Sequence, residues 1–171
     1  MQDTMRLVAE LMAVSARTAP KAAGKDFVEI KVVSGDDLAL IGREMKKYGE
    51  DAGKINFDRD GSNVEGSDAL LLLSLKKAAP IGLNCGACGF SRCQDLKLKA
   101  GPEFDGPLCA WRLLDLGIAL GSAVKTAGIL NADNRIMYRV GVLAKKMGLI
   151  EGEIVVGVPL SATGKSIYFD R

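Results

Sequence analysis

Histidine is absent from this 171-residue chain. That excludes Ser-His-Asp and Cys-His nucleophiles, the commonest proton shuttle near neutral pH, and every imidazole metal ligand. Aromatic residues make up only 5%, and the net charge is only +2, from 23 Lys and Arg against 21 Asp and Glu. The basic residues are spread along the chain, so no cationic footprint for a nucleic acid stands out. No apolar run approaches the roughly 20 residues of a membrane span. The longest, Ala69 to Leu73, is short, and the stretch from Leu113 to Leu130 is interrupted by Asp115 and Lys125. The first residues lack the basic-then-apolar order of a secretory signal, so the expected compartment is the reducing cytoplasm.

What is present is a concentration of sulfur. All 4 cysteines fall between residues 85 and 109, spaced C-x2-C-x4-C-x15-C as Cys85, Cys88, Cys93 and Cys109. Two thiolates three residues apart can face one centre across a tight turn. Gly86 and Gly89 stand where such a turn needs positive φ and lets backbone N–H groups approach sulfur. A disulfide framework belongs to small secreted domains, and neither the length nor the opening residues of this sequence lead one to expect it. Four thiolates satisfy either tetrahedral zinc or the four irons of a [4Fe–4S] cluster. Zinc ribbons and fingers usually carry two C-x2-C pairs and this chain carries one, so the spacing points to iron–sulfur ahead of zinc. The alternative is a structural all-cysteine zinc site on a non-catalytic interaction domain.

Hydrophobic residues make up 48% of the chain, enough for one domain over residues 1–171 with a cysteine-rich, cluster-binding insertion at about 80–110. Apolar spacing predicts a helix over 4–18, stopped by Pro20, and alternation predicts a strand over 27–33. Ser34 and Asp37 read as a capping box opening a helix to about Tyr48. Residues 49–67, polar and rich in Gly and Asp, read as a surface loop. Its Asn56, Asp58, Asp60 and Gly61 echo a calcium loop, but Ser67 stands where the bidentate Glu is required. A buried strand follows over 68–75. After the cysteines comes an apolar helix from Ala110 to Gly128, in which Gly117 and Gly121 allow another backbone to come close. A further helix, capped by Asn131 or Asp133, carries Ile136, Met137, Val140 and Leu143 and closes at Gly148. The last strand spans 153–159. Thr163-Gly164-Lys165-Ser166 copies the end of a Walker A loop, but Pro159 occupies its first glycine position and no helix follows.

Two resemblances bear on function. The runs Gly82–Phe90, Gly106–Ala110 and Asp115–Val124, with Ser15–Ala22 and the closing Gly164–Arg171, resemble a family of uncharacterised proteins containing a ferredoxin domain. The resemblance implies an iron–sulfur redox protein passing electrons to or from an unknown partner. Separately, Ala16 to Gly24, Asp115-x-Gly117-Ile118-Ala119 and Val156-Gly157-Val158-Pro159 resemble segments of FMN-dependent nitroreductases. That resemblance implies an α+β fold, a nitroreductase-like α/β sandwich with the cysteine loop added, assembled as a homodimer with FMN at its interface. The Arg-Ser-Arg cluster that holds the FMN phosphate in that family is missing here. The phosphate would fall to Arg17, Lys21 and Lys165, since a dianion is met by Arg or Lys with backbone N–H groups. No catalytic residue is named by either resemblance.

Overall fold

The computed structural model describes residues 1–169. The N-terminal helix α1 (Gln2–Thr18) buries Met5, Val8, Met12 and Ala16, the stripe its spacing predicts. It ends because Ala19, the residue before Pro20, is pushed to an extended conformation (φ −55°, ψ 139°). Strand β1 (Val28–Ser34) leads to α2 (Asp36–Asp51), a short helix α3 (Phe57–Glu65) and strand β2 (Ala69–Leu75). After the cysteine segment come α4 (Ala110–Ile129), the two-residue β3 (Asp133–Asn134), α5 (Tyr138–Lys146) and β4 (Ile154–Ser161).

The strands form one antiparallel sheet in the order β1-β2-β4-β3. Strand β2 is buried along its whole length and sits between β1 and β4. Its leucines alternate between two separate cores. Leu71, Leu73 and Leu75 face α1 and α4, whereas Leu70 and Leu72 face α2, α3 and α5. The period-2 geometry of a strand thus turns one continuous apolar run into the shared wall of both layers.

Backbone approaches are closest where glycine removes a side chain. A Cβ on Gly42 would stand 2.6 Å from the carbonyl oxygen of Gly61, which brings α2 and α3 together. On Gly141 of α5, a Cβ would overlap the carbonyl oxygen of Val155 in β4. Backbone cannot step aside as a side chain can. Gly141→Ala is therefore expected to lower stability by about 2–3 kcal/mol, as overpacking of a closed core does, and thermal melting will read it.

The structure corrects four sequence readings. The 49–67 segment is not all loop, because α3 buries Phe57 and Val64 against the second core. The Ser34–Asp37 capping box does not form. Gly35 takes the N-cap position instead at φ 74°, a conformation that glycine tolerates. The helix expected from about residue 131 begins only at Tyr138, and Asp133 and Asn134 pair with β4. Gly117 and Gly121 approach no other backbone among the described residues of the same chain, since both lie exposed with nothing within 4 Å of a built Cβ. Among the described residues no helix is long and apolar enough to cross a membrane.

Candidate metal centre

The segment between β2 and α4 carries the cysteines, and it is held by its own bonds. Gly86 and Gly89 adopt positive φ of 76° and 86°, and the Gly89 N–H donates to the Gly86 carbonyl at 2.9 Å. Asn84, itself at φ 50°, closes the turn in both directions. Its backbone N–H donates to the Cys93 sulfur at 3.4 Å, and its side-chain oxygen accepts the Cys93 N–H at 2.8 Å. Arg92 and Asp95 form a two-point ion pair at 3.0 Å across the same turn. Cys109 caps the start of α4, its carbonyl accepting the N–H groups of Arg112 and Leu113.

All four cysteines line one pocket, whose walls include Leu83, Phe90 and Trp111. Cys85 is exposed, Cys88 and Cys93 are half-buried, and Cys109 is buried. N–H donors reach two of the sulfurs. Asn84 serves Cys93, while Cys85 accepts from the backbone N–H of Ala87 and from the Trp111 indole, the latter at 3.4 Å. The Ala87 N–H, and after it the indole, hold the Cys85 thiol below its ordinary pKa. Sequence reasoning placed donors beside the glycines but did not find Trp111. Its signal was its position, two residues after Cys109 in the first turn of a helix. Among the described residues, no three thiol or carboxylate side chains converge on one point closely enough to share a single ion. The donor chemistry nonetheless fits a four-iron cluster, which takes one thiolate per iron from sulfurs set around a cavity.

Two anchors fix this segment to the scaffold. Arg112 of α4 is buried, 1% exposed, and its guanidinium joins three parts of the chain. Nε donates to the Ala79 carbonyl at the entry to the cysteine segment, and Nη1 donates to the Ala22 carbonyl at 3.0 Å. Nη1 also pairs with Asp115 at 2.9 Å, and Asp115 accepts the Ala22 N–H at 2.7 Å. The Phe27 ring lies 4.7 Å from the guanidinium carbon. The second anchor is Glu103, on a finger closed by paired bonds between Lys99 and Gly106. Its carboxylate takes Tyr48, Lys54 and Tyr138 together, and Lys145 pairs with Asp105 at 2.7 Å.

The cations expected to meet a flavin phosphate are placed unevenly. Arg17 is half-exposed, and one of its nitrogens binds Asp26 at 2.6 Å and the Val28 carbonyl at 2.7 Å. Burial would raise the Asp26 carboxyl, but the Val28 N–H and Arg17 outweigh it and hold the group below its usual range. The side chain of Lys21 is only 4% exposed. Its ammonium is committed to the Ala16 and Arg17 carbonyls at the end of α1, at 2.6 and 2.8 Å, and burial lowers its pKa. Lys165 is exposed in the tail beyond β4. Asp170 and Arg171, the end of the closing motif, lie outside the described residues.

Comparison with known proteins agrees with this picture at the level of fold. A nitroreductase with bound FMN from Desulfitobacterium hafniense superposes with a TM-score of 0.60 at 15% identity, covering 93% of this chain and 78% of that one. Nitroreductase CinD from Lactococcus lactis, solved with nicotinic acid, gives a TM-score of 0.63 at 14% identity over the same shares. The chain is thus an α+β protein with the nitroreductase fold. An uncharacterised protein of Archaeoglobus fulgidus is 49% identical over 171 residues, spanning 99% of this chain and 92% of its own. A family model described as "uncharacterized protein containing a ferredoxin domain" matches residues 105–171, which include Cys109 and the α4 segment behind it. The chain belongs to that family of ferredoxin-domain proteins.

Proposed function

We propose that this protein is an iron–sulfur redox protein in which Cys85, Cys88, Cys93 and Cys109 hold a [4Fe–4S] cluster. The observation that carries the reading is that four thiols from a 25-residue stretch line one pocket, with N–H donors directed at two of the sulfurs. A bound cluster supplies one-electron transfer. The protein's part is to fix the four ligands, exclude water on the Cys109 side and direct donors at the sulfurs, which sets the potential.

The nitroreductase fold supports a second component, a flavin at a homodimer interface. The outer side of the α1/α4 layer exposes Leu7, Leu11 and Val14 on one helix and Leu114 and Ile118 on the other, apolar side chains of the kind an interface would cover. Gly117 and Gly121 lie on the same face and leave room for the backbone of a second copy. Arg17 and Lys165 are then the cations for the flavin phosphate. Lys21 serves from behind, holding the turn that carries Arg17.

Protein purified and reconstituted without oxygen is expected to be brown and to contain about four irons and four sulfides per chain. Colourless protein with one zinc and no sulfide overturns the reading. The flavin and dimer components are tested separately, by FMN-dependent melting temperature and by sedimentation. A species of 18.1 kDa that FMN does not stabilise removes both and leaves the cluster standing.

A further inference from the structure

Cys85 is the one exposed ligand of the four, so its sulfur is where water has most access to the site. Trp111 meets that sulfur from the first turn of α4, two residues beyond Cys109, with its indole Nε1 donating to Cys85 Sγ at 3.4 Å. A helical backbone fixes the ring's origin, and the ring lines the same pocket as the four cysteines. The N-terminus of α4 therefore touches two corners of the site, Cys109 directly and Cys85 through the indole. Trp111 is itself 41% exposed, so it stands between that corner and the exterior.

Resting on the cluster reading above, we propose that Trp111 is a positioning and tuning residue for the cluster, donating its N–H to the Cys85 sulfur and raising the reduction potential. The physical reason is charge. Reduction adds an electron that is shared with the ligand sulfurs, and a donor aimed at one of them stabilises the more negative state. The indole covers part of the exposed Cys85 corner and adds its donor to the Ala87 N–H there, at a sulfur that would otherwise meet water. Cys109 is already shielded by burial, and Cys93 has the Asn84 N–H.

The test is Trp111→Phe, which keeps the ring and removes only the donor. In anaerobically reconstituted protein the variant is expected to hold the same iron and sulfide as wild type. Its midpoint should move to more negative potential by a three- to tenfold change in the oxidised-to-reduced ratio, which at 59 mV per decade for one electron is about 30–60 mV. Incomplete loading with an unchanged melting temperature of the metal-free chain also supports the proposal, through the positioning half. An unshifted midpoint in fully loaded variant overturns it, as does a lowered melting temperature with a normal midpoint, which makes the ring a packing element. Trp111 is the only tryptophan, so its emission gives an independent readout. Emission from wild type should fall on loading, and unquenched emission from fully loaded protein overturns the proposal by placing the indole away from the cluster. A wild type that takes up no iron or sulfide at all defeats the cluster reading itself, which separates that failure from this one.

Discussion

Replacing Cys109 with serine is expected to abolish four-iron loading while leaving the metal-free chain as stable as wild type within about 1 kcal/mol. The two effects part because Cys109 has two roles. As a proposed ligand it would supply a soft thiolate that the harder hydroxyl of serine does not match. As the residue before α4 it occupies the N-cap in an extended conformation (φ −61°, ψ 126°) without any side-chain cap bond. Serine is among the preferred N-cap residues, and its oxygen can accept an N–H from the first turn, a gain of about 0.5–1 kcal/mol. That gain offsets the smaller apolar volume of the oxygen at a site only 5% exposed. Iron and sulfide analysis beside urea denaturation of the metal-free form checks both halves. Four irons in the variant would remove Cys109 from the ligand set, and a large loss of stability would show that the thiol is needed for packing.

The second large effect is expected at Arg112. Arg112→Met should cost about 3–5 kcal/mol, the range for removing one partner of a buried ion pair, out of a total of roughly 5–15 kcal/mol. The methionine fills similar space but strands the Asp115 carboxylate, leaves the carbonyls of Ala79 and Lys25 without this donor, and leaves that of Ala22 with only the Lys25 N–H. Adding Asp115→Asn should recover part of the loss, because the amide removes the stranded charge and keeps an oxygen for the Ala22 N–H. The denaturation midpoints of wild type, both single variants and the double variant close the cycle. A loss under about 1 kcal/mol in the single Arg112 variant would mean that this pair does not hold the loop at 19–25 to the cysteine segment.

Much of the fold was legible because burial and periodicity agreed. The stripe Met5, Val8, Met12 gives α1 by its helical spacing, and the leucine run gives β2 because it is too short for a buried helix. Residues 57–65 were not legible because their burial rests on groups that sequence reading assigns to the surface. Asp60 is only 2% exposed, and it tolerates this because Arg59 and Arg139 both pair with it, at 2.7 and 2.8 Å. Gly61 looked like a turn residue, yet it serves as the flat spot on which α2 rests. A partner 79 positions away cannot be seen in a local window. The same limit applied at the site. The cysteine spacing marked the candidate centre, but the indole donor to Cys85 and the Arg112 guanidinium come from α4, beyond the motif. Ile136 and Met137 carry helical spacing, but Met137 pairs with Gly157 of β4 instead, because sheet pairing at the edge outweighed local propensity.

The cysteine segment is fastened at both ends by groups that owe nothing to a metal: Asn84 folded back on Cys93, Arg112 on Ala79, Glu103 on two tyrosines and a lysine. Small zinc domains collapse when stripped, because their ion is their core. Here the two leucine-walled cores stand on either side of the sheet regardless. On the cluster reading, iron and sulfide would be delivered late to a chain that is already folded, and a chain emptied by oxygen would remain a scaffold that can be charged again.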